Sequence, residues 1–221
     1  MDAENACARC PSAAHQECTF LSIREGVTME RNVLVPMADG SEELETVAVV
    51  DVLRRSGAHV TLAGVETLDM KASKGVRIVA DRLLSECAAE VFDLIVLPGG
   101  MPGAEHLRDS AVLLALLKRQ MDEGRLVGAI CASPAIVLHP HGLLRGRRFT
   151  CHPNFTDGLA DGQLVADTVV VDGSLVTSRG AGTAVDFALT FVDLFFGPER
   201  TEAVRKGMAL GNQDQQQIRN I

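Results

Sequence analysis

The sequence predicts an α/β fold with a mostly parallel central sheet covered by helices on both faces. Three observations carry the prediction. First, short apolar runs recur at Asn32–Met37, His59–Val65, Asp93–Leu97 and Leu126–Ile130, and a strand that is apolar at consecutive positions is buried on both faces. Second, segments of helical length and capping separate these runs, as in β-α-β units. Third, Cys131 stands between one such run and a helix-forming segment, the strand–nucleophile–helix order of a nucleophile elbow.

In chain order, Asn32–Met37 (NVLVPM) is the first strand, and Ala38–Ser41 is a turn in which Asp39 or Ser41 caps the following helix. Glu42–Ser56 is that helix. It has acids in its first turn, Arg54 and Arg55 in its last, and Gly57 as its stop, so both ends complement the helix dipole. His59–Val65 is a second strand and Val76–Val79 a short edge strand. Asp93–Leu97 is a buried strand ending in Pro98-Gly99-Gly100. Ser110–Glu123 is a helix, and Leu126–Ile130 a strand. A helix runs from Cys131 toward His139, with Gly142 behind it. Shorter strands are expected around Arg148–Cys151, Leu164–Ala166, Thr168–Val171 and Leu175–Thr177. Thr183–Phe196 is a strongly apolar helix, and a last helix begins near Pro198.

Composition narrows the function. A chain of 221 residues suits one domain with appendages. Its charge of −8 and its lack of Trp and Tyr argue against nucleic acid and anionic membranes as partners. No apolar run approaches the ~20 residues that span a bilayer. Residues 1–30 are expected to be a disordered extension, 31–211 one folded domain, and the Gln-rich 212–221 a frayed tail. The extension lacks the apolar stretch of a signal peptide, and Asp2, Glu4, Glu17 and Glu25 argue against a transit peptide. A cytoplasmic location with reduced thiols is therefore expected. Cys7, Cys10, His15 and Cys18 are potential zinc ligands, but the last spacing is short for a zinc knuckle, so no metal site is expected. Met29 is a possible alternative start.

Ligands in such a sheet bind beyond the carboxyl ends of the strands. Cys131 lies there, with small Ala129 and Ser133 on either side, as a sharp elbow requires. A helix N-terminus favours its thiolate. A buried structural cysteine fits the same pattern, and the residues alone leave both readings open. Glu45 on the first helix either shuttles a proton for such a thiol or, with Glu42 and Glu43, is a solvated acid complementing the dipole. His152, in Thr150-Cys151-His152-Pro153, is positioned to pair with a thiol nucleophile. Gly99-Gly100 either makes a tight turn or turns backbone N–H groups toward an oxyanion. No Walker loop, dinucleotide fingerprint or HExxH motif is present.

Together the segments GSEELETVAVVDVLRRSGAHVTLAG, DLIVLPGGMPGAEHL, GAICASPAIVL, TCHP and LVTSRGAGTAVDFAL resemble the ThiJ/PfpI superfamily, and within it the branch of the parkinsonism-associated deglycase, DJ-one. The resemblance spans about residues 32–197. It implies a flavodoxin-like three-layer sandwich that forms a homodimer and needs no cofactor. It places the oxidation-sensitive nucleophile on Cys131, a protonated glutamate on Glu45 and a nearby histidine on His152. The oxyanion amides fall on Gly100 and Ala132, with Gly99 beside them. The implied activity is a glyoxalase or deglycase acting on methylglyoxal and related 2-oxoaldehydes, free or on glycated protein, in protection against carbonyl and oxidative stress. A redox sensor or chaperone acting through oxidation of Cys131 is the alternative, and a cysteine peptidase-like hydrolase a third. The chain departs from the family at Ala181, where relatives carry proline. Cys87 and Cys151 receive no role.

Overall fold

The computed structural model describes residues 30–211. The zinc-ligand candidates, Met29 and the tail 212–221 lie outside the described residues. In chain order the elements are β1 (Asn32–Met37), α1 (Glu43–Ser56), β2 (His59–Gly64), β3 (Asp69–Lys71), β4 (Arg77–Val79), β5 (Arg82–Leu83), β6 (Leu94–Leu97), α2 (Gly103–Asp109), α3 (Ala111–Asp122), β7 (Leu126–Ile130), β8 (Arg148–Phe149), β9 (Gln163–Leu164), β10 (Val169–Asp172), β11 (Leu175–Ser178) and α4 (Ala184–Gly207).

Seven strands form the central sheet in the order β10-β11-β7-β6-β1-β2-β5. Every neighbouring pair is parallel except β10–β11. Strand side chains alternate between two cores, which is why the strands read as unbroken apolar runs. Val33, Val35 and Met37 of β1, with Leu94 and Val96 of β6, pack with Val49 and Val52 of α1 and Phe187 and Phe191 of α4. Leu34, Ile95 and Leu97 face the other way, against Leu107 of α2 and Leu113 and Leu117 of α3. Phe187 and Phe191 meet edge to face at 4.9 Å and fill the space below Gly128 of β7, where a Cβ would come within 2.6 Å of Phe191 Cζ. From β1 the chain passes to β2 on one side and later to β6 on the other. The crevice at the carboxyl ends of β1 and β6 is therefore the topological switch point.

The predicted strands and main helices are present, with instructive differences. Glu42, not Asp39 or Ser41, caps α1, accepting from the Glu45 N–H at 2.7 Å. Asp39 accepts from Lys71 N and Ser41 Oγ from Ala38 N, so both side chains are already engaged. The expected edge strand Val76–Val79 does not join the sheet. Its residues Arg77–Val79 pair antiparallel with β3 in a separate ribbon, and β5 takes the edge. Glu43 holds that ribbon's turn through Ser73 Oγ at 3.0 Å and Lys74 N at 2.9 Å, so it is not the solvated acid expected.

The helix expected after Cys131 is instead a π-helical turn, Pro134–Leu138, followed by a 3-10 turn, His139–His141. In a regular α-helix the ring of Pro140 would collide with the carbonyl four residues back, and widening the turn relieves this. The helix α2 was not anticipated. By length and composition alone the segment Ala181–Gly207 is apolar enough to cross a membrane, contrary to the expectation that no run approaches this. It is broken at Gly197 (φ 78°), just before Pro198, which matches the two helices expected there, and its apolar side is in the core.

Candidate active site

Four loops at the carboxyl ends of β1, β6, β7 and β11 converge on Cys131. The cysteine turns with φ 63°, a left-handed conformation that L-residues rarely adopt, and strain of this kind gathers at functional turns. Its backbone is held on both sides: its N–H donates to Ser178 O at 3.0 Å, and its carbonyl accepts from His152 N at 2.8 Å. One residue on, Ala132 is fully buried. Ser133 Oγ donates to Pro98 O, clamping the elbow to the β6 loop. The residue as a whole remains partly exposed.

The β6 loop is shaped by its glycines. A Cβ on Gly99 would lie 2.6 Å from Cys131 Cβ and 3.0 Å from Glu45 Oε2. Gly100 has φ 86°, and a Cβ there would lie 2.4 Å from Glu42 N. Glu42 N in turn donates to Gly99 O at 2.9 Å, fastening the start of α1 to this loop. That bond brings Glu45, one turn into α1, beneath the thiol.

Glu45 is fully buried. Its Oε2 accepts from Gly99 N at 2.7 Å. Its Oε1 has no hydrogen-bond partner of good geometry among the described residues, and the Cys131 thiol is its neighbour. Burial pushes this carboxyl up to about 7, with a small further rise from Glu42 and against the pull of Gly99 N–H and the thiol. Burial likewise pushes the Cys131 thiol up to about 12, assisted by the charge of an ionised Glu45 and opposed by the N–H groups of Gly100 and Ala132. The pair shares room for one negative charge. A protonated Glu45 removes the like charge and offers its O–H to sulfur. The state suited to nucleophilic attack is therefore the neutral carboxyl beside the thiolate.

His152 caps the 3-10 turn Pro153–Phe155, its Nδ1 accepting from Asn154 N at 3.2 Å. This leaves Nε2 to carry the proton of a neutral ring. A methyl group placed on Gly180 would sit 3.3 Å from His152 Cδ2 and 3.9 Å from both Cys131 Sγ and Glu45 Oε1. All three predicted catalytic side chains thus border one small space.

The assignment of Gly99 needs refining. Its N–H is committed to Glu45, so it orients the carboxyl, while Gly100 and Ala132 direct theirs toward the sulfur. Gly180 was missed as a wall of the site. Its only signal in sequence was the Ser178–Thr183 loop at the end of an apolar strand. Cys87 is fully buried, and Cys151 only 2% exposed, in the core on the opposite face of the sheet from Cys131.

The chain has counterparts among known proteins. Protein DJ-1 homolog B of Arabidopsis thaliana is 48% identical over 169 residues, which cover 76% of this chain and 39% of that protein. The chain spans less than half the length of the two Arabidopsis relatives it matches. Glutathione-independent glyoxalase DJR-1.2 of Caenorhabditis elegans is 41% identical over 180 residues, covering 80% of this chain and 95% of that one. The structure of oxidized Toxoplasma gondii DJ-1 superposes with a TM-score of 0.80 at 42% identity, over 82% of this chain and all of that one. The pattern of the DJ-1/PfpI family matches residues 31–194, and the chain belongs to that family.

Proposed function

We propose that the protein is a cofactor-independent glyoxalase that converts methylglyoxal and related 2-oxoaldehydes to 2-hydroxy acids. The observation that carries this reading is a fully buried Glu45 whose Oε1 meets no partner among the described residues other than the neighbouring Cys131 thiol. A simple thiol nucleophile does not need a carboxyl held near neutrality, whereas moving a proton between adjacent carbons does.

The Cys131 thiolate adds to the aldehyde carbon, and the N–H groups of Gly100 and Ala132 stabilise the alkoxide, which takes up the proton of Glu45 to give a hemithioacetal. Glu45, as carboxylate at that point, removes the proton from this carbon to give an enediol and returns it to the neighbouring carbon. His152 supports proton movement between the two oxygens. The first carbon is oxidised to a thioester and the second reduced to an alcohol, so no external redox partner is needed. Water then hydrolyses the thioester, releasing the hydroxy acid and the thiol. A glycated protein delivering the same aldehyde would enter at the hemithioacetal. The relative named as a glutathione-independent glyoxalase supports the reading.

We further propose a cytoplasmic homodimer, since a working thiolate needs a reducing compartment. Leu44 and Val47 on α1, and Val76 and Val79 on the neighbouring ribbon, are each more than half exposed and offer the apolar face for a second copy. Oxidation of the partly exposed Cys131 is the second reading, favoured by the oxidized state of the Toxoplasma relative. The deciding experiment measures lactate from methylglyoxal with wild type, Cys131→Ala and Glu45→Gln. Activity in the wild type alone is the expected result. No lactate from the wild type, or undiminished lactate from Cys131→Ala, would refute the proposal.

A further inference from the structure

We infer that Gly180 sets which carbonyl compounds can react at Cys131. By carrying no side chain it leaves a hollow about one methyl wide between Cys131 Sγ, Glu45 Oε1 and the His152 ring, and this hollow receives the substrate carbon bonded to the one under attack. The inference rests on the proposed glyoxalase reading for the substrate's identity, though not for the presence of the hollow.

Two independent observations support it. First, the neighbours of a Cβ on Gly180 would lie 3.3 Å away, a tight contact with the His152 ring, and 3.9 and 3.9 Å away, ordinary contacts with Cys131 and Glu45, so they belong to the three functional side chains. The neighbouring glycines differ. A Cβ on Gly99, Gly100 or Gly103 would strike the elbow or backbone at 2.6, 2.4 and 2.2 Å, so those positions are glycine for packing. Gly182, one residue beyond the loop's corner, would meet nothing within 4 Å. Nor does the backbone demand glycine at 180, because φ 160° and ψ −168° are extended values open to any residue. What the position lacks is bulk. Second, Glu45 Oε1 is a buried polar atom without a hydrogen-bond partner of good geometry among the described residues, and it borders this hollow.

The hollow's place is held firmly. Thr183 Oγ1 accepts from Gly180 N at 3.2 Å and lies 2.6 Å from Ser178 Oγ, which itself donates to Thr168 O at 2.8 Å. Once sulfur has bonded to the aldehyde carbon, the adjacent carbon has to lie within reach of the group that delivers the proton, and Oε1 is the free one. A trigonal carbon presents a bare face to this space and can take up its proton there, whereas a quaternary carbon drives a methyl group into it and collides. The ligand class is therefore aldehydes with a trigonal neighbouring carbon, as in 2-oxoaldehydes, with strong discrimination against a quaternary carbon beside the reacting one.

The test uses the full chain as wild type, Gly180→Ala and Gly182→Ala. Three readouts are taken: lactate from methylglyoxal, the rate of Cys131 alkylation by iodoacetamide, and the rate of its oxidation by peroxide. In Gly180→Ala, kcat/KM and the alkylation rate are expected to fall by about tenfold or more, the discrimination typical of one carbon in a fitted pocket. Peroxide oxidation is expected to change by less than about threefold, and Gly182→Ala to behave as wild type. Unchanged alkylation and turnover in Gly180→Ala overturn the inference, as does an equal fall in all three rates. If the wild type makes no lactate, the glyoxalase reading fails, and the alkylation-to-oxidation ratio alone decides on the hollow. Should Gly180→Ala not fold, the wild type is protected from iodoacetamide by propanal or by trimethylacetaldehyde, which differ in branching beside the carbon attacked. A preference for the unbranched aldehyde about tenfold above that of a simple thiol supports the inference, and the same preference as that thiol overturns it.

Discussion

Replacing Glu45 by glutamine should stabilise the protein at high pH and leave its stability almost unchanged at low pH. The carboxyl rises from 4.5 to about 7 on folding, mainly because it is buried. At 1.36 kcal/mol per unit, that rise corresponds to about 3 kcal/mol. The sign follows from where the proton sits. Below pH 4.5 the group is neutral in both folded and unfolded chains, and its burial carries no ionisation penalty. Between 4.5 and about 7 the unfolded chain loses the proton and the folded chain keeps it, so stability falls as pH rises. Above about 7 both are ionised and the full penalty applies.

Glutamine is nearly isosteric. It keeps an oxygen for the Gly99 N–H, turns an NH₂ toward the sulfur and never ionises. At pH 8 the variant should gain up to about 3 kcal/mol, or about 6–12 °C in Tm for a domain of this size. At pH 5 the gain should shrink to about 2–3 °C. Thermal unfolding of both proteins across pH 5–8, at matched protein concentration, reads this directly. A gain that is the same at both pH values, or a variant less stable than wild type at pH 8, would refute the reading that burial raises this carboxyl. Lactate formation should be lost in the same variant, so stability and activity move in opposite directions, as expected where a site holds a destabilising group for its chemistry.

Other consequences can be checked with single substitutions. Glu43→Gln should destabilise by about 1–2 kcal/mol near neutrality through its weakened bonds to Ser73 and Lys74. Although burial raises the Glu43 carboxyl, the surrounding N–H groups and the Ser73 hydroxyl hold it below the usual range overall, so urea midpoints of wild type and variant should converge as pH falls through that range. Gly128→Ala should lower stability by about 1–3 kcal/mol by driving a methyl into Phe191, and denaturant titration would show no loss if Phe191 could move aside freely. Val47→Asp with Val79→Asp should halve the mass seen by light scattering if the exposed apolar face is the dimer interface.

Much of the fold could be read from the sequence because the central strands are buried on both faces. That burial makes Val33–Met37, Leu94–Leu97 and Leu126–Ile130 continuously apolar, a signal that needs no partner to interpret. The strands lost to view were the short ones. Arg82–Leu83 and Asp69–Lys71 carry charges, and only tertiary pairing makes them strands. The nucleophile was legible for a local reason, the small residues around an elbow. The acids of α1 look alike in pattern, as dipole-complementing residues, and only the family resemblance set Glu45 apart from Glu42 and Glu43. Glu42 caps the helix through a bond three residues away, whereas Glu43 fastens a ribbon and Glu45 is sealed beneath the thiol because loops far along the chain meet them. Gly180 escaped notice because a residue that acts by leaving space has no side chain to suggest a chemistry.

The bonds on either side of Cys131 have a consequence for how the protein could report its own chemistry. With its N–H tied to Ser178 and its carbonyl to His152, residue 131 is anchored to two other segments of the fold. An adduct or an added oxygen on the sulfur must be absorbed by neighbouring space and charge rather than by a shift of the main chain. The cysteine behaves like an electrode set in a rigid mount, able to change state while the frame around it stays still. A partner that distinguishes the reduced from the modified protein would then have to read the sulfur's charge at the mouth of the site, because the fold at large carries little record of it.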